Sequence, residues 1–312
     1  MKYFRIYPWG LRLFLFLMMI VTMSGFVYLM IAAFLPRLTP FSFVQIAEIS
    51  EHSPASLVNA SILVQGMLNL FMFLVPAFVF SYLTHPSPAS YLGLRAPGKK
   101  IQWVLVILIM LGAMPVLEFI GGLISHIDFG AKVKAEQAAN DGMMNAYLDM
   151  PSFGAFVRTF IVMAVVPAIG EEFFFRGVML RFVKQRSRKM VFPIVFTALV
   201  FAYAHTNVYG YLSIFLAGVL LAVIYYLTGS LWCSIVAHLF FNGSQVILGY
   251  IGNSNATLKT FINNNDVPVY LAAGGAILFV VSFYLLLRNK TPLLENWADD
   301  YTPGELSQQQ IN

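Results

Sequence analysis

The chain has 312 residues, of which 59% are hydrophobic and only 11% are charged. Soluble domains carry roughly 25% charged residues, so this composition excludes a large water-soluble protein and indicates a polytopic membrane protein. The net charge of +5 does not indicate nucleic-acid binding, because the basic residues cluster beside the apolar segments, as expected at membrane edges.

Eight apolar segments follow one another along the chain and predict an all-α polytopic membrane protein with about eight transmembrane helices. Helices are expected because lipid offers no partner to unpaired backbone groups. The fifth and sixth segments fall short of the ~20 residues that cross ~30 Å of hydrocarbon, so neighbouring helices or a thinned bilayer must accommodate them. Seven spans with one segment lying flat is the alternative. The segments are 12–35, 58–83, 102–125, 154–180, 191–206, 211–228, 231–250 and 267–288.

Lysine and arginine residues divide unevenly between the two sides of such a helix bundle. If the spans alternate in direction, thirteen lie on the side of the two termini and four on the other, with Arg158 and Arg176 inside the fourth segment. Basic residues concentrate on the cytoplasmic side of membrane proteins. We therefore predict cytoplasmic N- and C-termini in an integral, multi-pass membrane protein, located in the inner membrane if the source is bacterial.

The chain divides by composition into three parts. Residues 1–150 form an N-terminal membrane region of three helices, residues 151–290 form a membrane core that carries the polar motifs described next, and residues 291–312 form a flexible cytoplasmic tail. Between the third and fourth spans, residues 132–147 have the polar, mixed-charge pattern of an amphipathic helix on the outer surface.

The most unusual stretch is Gly170–Gly177, where two adjacent carboxylates and an arginine interrupt an apolar run. Ionisable side chains at membrane depth are costly and therefore indicate a functional site. Glu172 and Arg176 are four residues apart and share a helix face, so we expect them to pair. Glu171 points about 100° away from Glu172 and is left free to act. A buried ion network of purely structural purpose is the alternative.

Two further spans carry polar side chains of catalytic type. His205 ends the fifth segment and lies on the same helix face as Phe201, although a lone histidine is commonly a hydrogen-bonded core residue. His238 and Asn242 are one turn apart on the seventh segment and present two hydrogen-bond donors side by side, as a developing oxyanion requires. An interhelical polar clasp is the alternative for this pair.

One more carboxylate, Glu118, lies in the third segment without an evident partner. Two placements remain open at this stage: a position in the wall of a polar cavity, or an ion pair with Arg158.

Together the three motifs resemble the intramembrane peptidase family that includes the type II CAAX prenyl endopeptidases and bacterial bacteriocin-processing or self-immunity proteins, known as CPBP or Abi. The family motifs are Glu-Glu-x-x-x-Arg, Phe-x-x-x-His and His-x-x-x-Asn. They stand here, in the same order, within residues 155–250, and residues 1–150 show no matching motif. The matching residues are Glu171, Glu172 and Arg176, then Phe201 and His205, then His238 and Asn242.

The resemblance implies hydrolysis of a peptide bond in a membrane-associated peptide or protein, within the lipid bilayer. It implies that Glu171 and His205 activate a water molecule and that His238 and Asn242 stabilise the oxyanion, with Glu172 and Arg176 in support. The cofactor is either none or zinc; a metallopeptidase would bind zinc through Glu171, His205 and His238. Asparagine is a poor zinc ligand, and His-Glu-x-x-His is absent, which excludes a zincin.

Two other functions fit the same polar residues: a membrane transporter that uses carboxylate and histidine relays, and a non-catalytic immunity or scaffold protein. The peptidase hypothesis also has a geometric requirement. On simple vertical helices, Glu171, His205 and His238 would be spread over a depth of about 10 Å or more, so the short fifth segment must be tilted or start deep in the membrane.

Overall fold

The structure is a computed structural model that describes residues 3–255, 257–258, 260 and 267–299. Within these residues all regular secondary structure is helical and no strand occurs. The prediction of an all-α protein is therefore confirmed. Helices satisfy the backbone N–H and C=O groups inside one segment, which is what a chain with long apolar runs requires in lipid.

Seven of the main helices are long and apolar enough to cross a membrane, so the protein is an integral, multi-pass membrane protein. The predicted count of eight spans and the cytoplasmic position of both termini stay predictions. In chain order the main helices are α1 (Trp9–Leu38), α2 (Ala55–Thr84), α3 (Ile101–Ser125), α4 (Ala131–Leu148), α5 (Phe153–Lys184), α6 (Val191–Ala204), α7 (Tyr211–Thr228), α8 (Leu231–Gly252) and α9 (Val269–Arg288); α4 and α6 are the two that are not among the seven.

Helix α6 corresponds to the short fifth apolar segment. Its 14 residues extend over about 21 Å, less than the ~30 Å hydrocarbon thickness. One side of α6 packs closely on α7 at Gly218, where an added Cβ would lie 3.2 Å from Ala198 Cβ and 3.1 Å from the Phe201 ring. Helix α7 thus covers one side of this short segment.

Helices α2 and α5 contain wider π-helical turns, at Leu70–Leu74 in α2 and at Ile161–Val165 and Phe173–Met179 in α5. Pro76 and Pro167 follow the first two of these turns directly. Proline has no N–H to donate and its ring clashes with the carbonyl four residues before, which accounts for the local widening. Such turns redirect the side chains beside them and are frequent at functional sites.

Helix α4 contains residues 132–147, which are helical as predicted; the amphipathic character and the outer position of this helix stay predictions. At its start, Asp128 accepts a hydrogen bond from the Gly130 N–H and pairs with Lys134 at 3.1 Å; the backbone bond and the ammonium lower the pKa of Asp128. At its end, the Tyr147 hydroxyl lies 2.6 Å from Ser61 Oγ, and burial raises the pKa of this phenol. The contact between Tyr147 and Ser61 attaches α4 to the N-terminal half of α2.

The segment after α9 packs against the helices as far as the structure describes it. The Thr291 N–H donates to Leu227 O at 2.8 Å and the Leu293 N–H donates to Tyr226 O at 2.9 Å. Leu293 and Ala298 are buried. Residues 300–312 of the predicted tail lie outside the described residues, and the division into three parts stays a prediction.

Buried phenylalanines fill the bundle at the end where α1 begins and α5 finishes. The rings of Phe16 and Phe80 lie 5.0 Å apart, and those of Phe16 and Phe174 lie 5.3 Å apart, measured between centroids. Phe175 and Phe182 are buried beside them. We call these five residues the aromatic core; it separates this end of the bundle from its middle.

Small residues bring α3 and α9 into backbone contact. A Cβ added to Gly112 would lie 2.5 Å from Phe279 N and 2.8 Å from Gly275 O, both of them backbone atoms. Because these atoms cannot rotate away, we expect Gly112→Ala to lower the free energy of unfolding by about 1–3 kcal/mol, as overpacking does. Thermal unfolding of the detergent-purified protein measures the change.

The control for this variant is Gly274→Ala in the neighbouring helix, where an added Cβ meets nothing within 4 Å. Equal stability of the two variants would show that α3 and α9 do not depend on this close approach.

Candidate active site

The three motifs converge in the middle of the bundle. Glu171 lies in α5, His205 follows the last residue of α6, and His238 lies in α8. The Oε2 atom of Glu171 is 4.0 Å from His205 Nε2 and 3.9 Å from His238 Nε2. Glu171, His205 and His238 therefore lie at a common depth, as the peptidase hypothesis requires. This is possible because α6 is short, so its C-terminal end reaches only to the level of Glu171.

Glu172 is the centre of a buried polar network. Its Oε1 accepts from Arg176 Nη1 at 2.6 Å and from His238 Nδ1 at 3.0 Å, and its Oε2 accepts from Ser234 Oγ at 2.7 Å. The side chain is fully buried. With three donors from α5 and α8, both oxygens of this carboxylate are engaged, and Glu172 connects the two helices.

Arg176 extends the network to α7. Its Nη2 donates to the Gly218 carbonyl at 2.8 Å, and its guanidinium lies over the Phe201 ring, 4.8 Å from the centroid. The predicted pairing of Glu172 with Arg176 is present, and the glycine that permits α6 to approach α7 also exposes the carbonyl that Arg176 uses. One ion pair thereby touches all four helices that carry or support the motifs.

Glu171 is also buried but has one free oxygen. Its Oε1 accepts a hydrogen bond from Asn69 Nδ2 at 3.2 Å, whereas its Oε2 has no hydrogen-bond partner among the described residues. The two imidazole nitrogens near Oε2 are too far away for direct hydrogen bonds, and separations of this size accommodate a bridging water. A carboxylate oxygen therefore faces the space between two histidines.

The tautomers of both histidines follow from their other contacts. His205 Nδ1 lies 2.7 Å from the Phe201 carbonyl, which only accepts, so Nδ1 carries the hydrogen. His238 Nδ1 lies beside the Glu172 carboxylate and is the donor there for the same reason. In the neutral rings, the Nε2 atom of each histidine then has a lone pair and accepts hydrogen bonds. Both Nε2 atoms face Glu171 Oε2, so three hydrogen-bond acceptors surround the space between these side chains.

These side chains line a cavity of about 470 Å³ that also contains Asn242, one helical turn after His238. A volume of this size is typical of small-molecule and cofactor sites. Glu118 lies in the cavity wall, which was one of the two placements predicted for it. Its Oε1 is 3.5 Å from Gln245 Nε2. No ion pair joins Glu118 to Arg158 in the part of the chain that the structure describes.

Asn69 was missed by the sequence analysis, which found no motif in residues 1–150. Its amide donates a hydrogen bond to Glu171 Oε1, and the residue directly precedes the π turn of α2. A Cβ at Gly170 would lie 3.3 Å from Asn69 Oδ1. The sequence contains a pattern that could have identified this residue. A carboxamide side chain within an apolar span, here Asn69, indicates a polar contact inside the membrane.

The arrangement does not provide a recognisable metal site. Among the described residues, no group of three or more His, Cys, Asp or Glu side chains is arranged to hold a metal ion. Zinc needs its nitrogen and oxygen ligands at about 2.0–2.2 Å around one point.

The buried network predicts a large loss of stability when one member is removed. In Arg176→Met, Glu172 keeps its negative charge in a buried place without the guanidinium, so we expect the free energy of unfolding to fall by about 3–5 kcal/mol. Denaturant or thermal unfolding in detergent measures it.

Lys132→Met is the matched control, because Lys132 forms an exposed ion pair with Glu136 at 3.8 Å. Exposed pairs contribute about 0–1 kcal/mol. If Arg176→Met and Lys132→Met have the same free energy of unfolding, the buried network does not stabilise the fold.

Comparison with known proteins agrees with the geometry. Residues 153–244 match the family model described as "Type II CAAX prenyl endopeptidase Rce1-like". This range, less than a third of the chain, contains every motif residue from Glu171 to Asn242. Searches among curated proteins and among solved structures each found no match. In this region the chain is similar to the CAAX-type intramembrane endopeptidases, which are a family of proteases.

Proposed function

We propose that this protein hydrolyses a peptide bond of a membrane-associated peptide or protein, with Glu171 as the general base that activates a water molecule. The observation that carries the proposal is the free Oε2 of buried Glu171, faced by two imidazole nitrogens at 3.9 and 4.0 Å. A water between these atoms donates one hydrogen to the carboxylate and the other to a histidine Nε2. Its oxygen lone pair is then directed into the cavity.

The chemistry proceeds in two balanced steps. First, Glu171 takes a proton from the water as the water oxygen bonds to the carbonyl carbon, and the carbonyl π electrons move onto its oxygen. Second, the oxyanion re-forms the carbonyl, the carbon–nitrogen bond breaks, and Glu171 returns its proton to the leaving nitrogen. The products are a carboxylic acid and an amine, and Glu171 is a carboxylate again.

We assign stabilisation of the oxyanion to α8. The Asn242 amide supplies N–H donors from the cavity wall without any change in protonation. His238 donates only when its ring carries a second proton on Nε2, because its Nδ1 hydrogen is directed to Glu172. His205, whose Nδ1 is bound to the Phe201 carbonyl, is left to orient the water through Nε2.

Asn69 and Glu172 are positioning residues in this proposal. Asn69 binds the carboxylate oxygen that does not face the water, which sets the rotation of the Glu171 carboxylate. Glu172 binds His238 Nδ1 and so sets the direction of its Nε2. Both act through another residue and touch no reacting atom.

The proposed base predicts that Glu171→Gln loses activity while the protein stays folded. Glutamine keeps the size and the hydrogen bond from Asn69 but cannot take a proton, so we expect turnover to fall by about 10²–10⁴-fold. A library of lipid-anchored peptides incubated with purified protein in liposomes, with products identified by mass spectrometry, measures turnover.

Glu136→Gln is the control, because this exposed carboxylate lies on α4 outside the cavity. Retained turnover in Glu171→Gln would refute the assignment of the base. If the wild type cleaves no peptide yet moves a solute across the liposome membrane, the transporter alternative replaces the peptidase.

Because no step passes through a metal, we expect turnover to survive zinc chelation. Treatment with 1,10-phenanthroline should leave the rate within about twofold, since Glu171 alone activates the water. Metal analysis of the treated protein verifies that any bound zinc was removed. A loss of activity that added zinc restores would instead support the metallopeptidase alternative with Glu171, His205 and His238 as ligands.

A further inference from the structure

The cavity of about 470 Å³ that contains Glu171, His205 and His238, called the catalytic cavity from here on, borders a second chamber of about 380 Å³. The two lie side by side, because they share four wall residues: Glu118, Gly121, Asn207 and Gly210. The second chamber lies between the last turn of α3, the connection from α6 to α7, and α4. Ser125, Lys134 and Asp141 in its wall are exposed, so it is open to solvent.

Helix α4 forms the roof of this second chamber with a polar face. Lys134, Gln137 and Asp141 follow one another at three- and four-residue spacing and line the chamber together. The C-terminal end of α4, at Met144 and Leu148, reaches the catalytic cavity. The polar face of α4 over this chamber is suited to binding a peptide backbone.

The opposite end of the catalytic cavity is closed. Beyond His238 the next layers are the buried pair of Glu172 and Arg176 and then the aromatic core, where Phe175 is 1% exposed. Tyr225 and Leu231 are fully buried at the same level. Water and peptide therefore have no route from the catalytic cavity to this end in the described residues.

The closed end is also the basic end. Hydrogen bonds tie its segments together: Trp9 Nε1 donates to Phe182 O, Arg181 Nη2 to Tyr91 O, and the Leu231 N–H to Gly93 O. Twelve described lysines and arginines lie here: Arg5, Arg12, Arg95, Lys99, Lys100, Arg181, Lys184, Arg186, Arg188, Lys189, Arg288 and Lys290. The open end has four: Arg37, Lys132, Lys134 and Arg158.

We infer that the active site opens to the non-cytoplasmic side of the membrane. Basic residues mark the cytoplasmic side of short-looped membrane proteins, and both chambers lie on the other side of the aromatic core. Resting on the proposed function, this inference narrows the substrate class to a peptide segment exposed on the outer face, either part of an exported protein or the outer portion of a membrane-anchored one.

A pair of matched serines tests the sidedness without any need for activity. Ser125 is exposed in the second chamber, and Ser90 is exposed at the basic end. Each is changed to cysteine in a Cys233→Ala background, which removes the chain's one native cysteine. Intact and permeabilised cells are labelled with a charged, membrane-impermeant methanethiosulfonate.

We expect Ser125→Cys to react equally in intact and permeabilised cells, and Ser90→Cys to react at least tenfold less in intact cells. Three results would overturn the inference. These are the reverse pattern, the same ratio of labelling in intact to permeabilised cells for both sites, and no reaction of Ser125→Cys even after permeabilisation.

A second experiment separates sidedness from the proposed chemistry. Right-side-out and inside-out membrane vesicles that contain the protein are given a water-soluble quenched peptide library from outside. We expect cleavage by right-side-out vesicles and at least tenfold less by inside-out ones, and the opposite ranking contradicts the inference. Absence of cleavage in both, with the labelling pattern as expected, rejects the peptidase proposal and leaves the sidedness intact.

Discussion

The buried ion pair of Glu172 and Arg176 is the interaction on which the rest of the site depends. An ion pair at this depth is costly to desolvate, and only additional hydrogen bonds make it tolerable. Ser234, His238 and the Gly218 carbonyl supply them. Because these partners come from α7 and α8 while the pair belongs to α5, satisfying the charges also fixes the relative positions of three helices.

That constraint leaves the neighbouring carboxylate available. Glu172 has both oxygens bound, whereas Glu171 has one oxygen bound to Asn69 and one directed into the cavity. Two adjacent residues of the same type thus differ because a helix turns them about 100° apart, one toward a packed interface and the other toward the cavity. The same network orients His238, so structure and proposed chemistry share a single set of contacts.

The shape of the cavity depends on departures from regular helices. Helix α6 stops after 14 residues, which brings His205 to the depth of Glu171. The π turns of α2 and α5 lie next to Asn69 and Glu172. A bundle of straight, full-length helices would place the three motifs at different depths, and Glu171 would face a packed interior. Irregular turns are stable in lipid only where polar partners or neighbouring helices compensate them.

The sequence by itself determined the helical class, the membrane location and the polar residues of the candidate site. The lengths of the apolar segments, the positions of the charged residues and the spacing within each motif are all local properties of the chain. Pairing of Glu172 with Arg176 was predictable for the same reason, as both lie on one helix face. Only the tertiary structure decided that Asn69 holds Glu171, that Glu118 faces the cavity, and that both chambers lie on one side of the aromatic core. These contacts join residues more than a hundred positions apart, such as Asn69 and Glu171, and no local pattern encodes which helix faces meet.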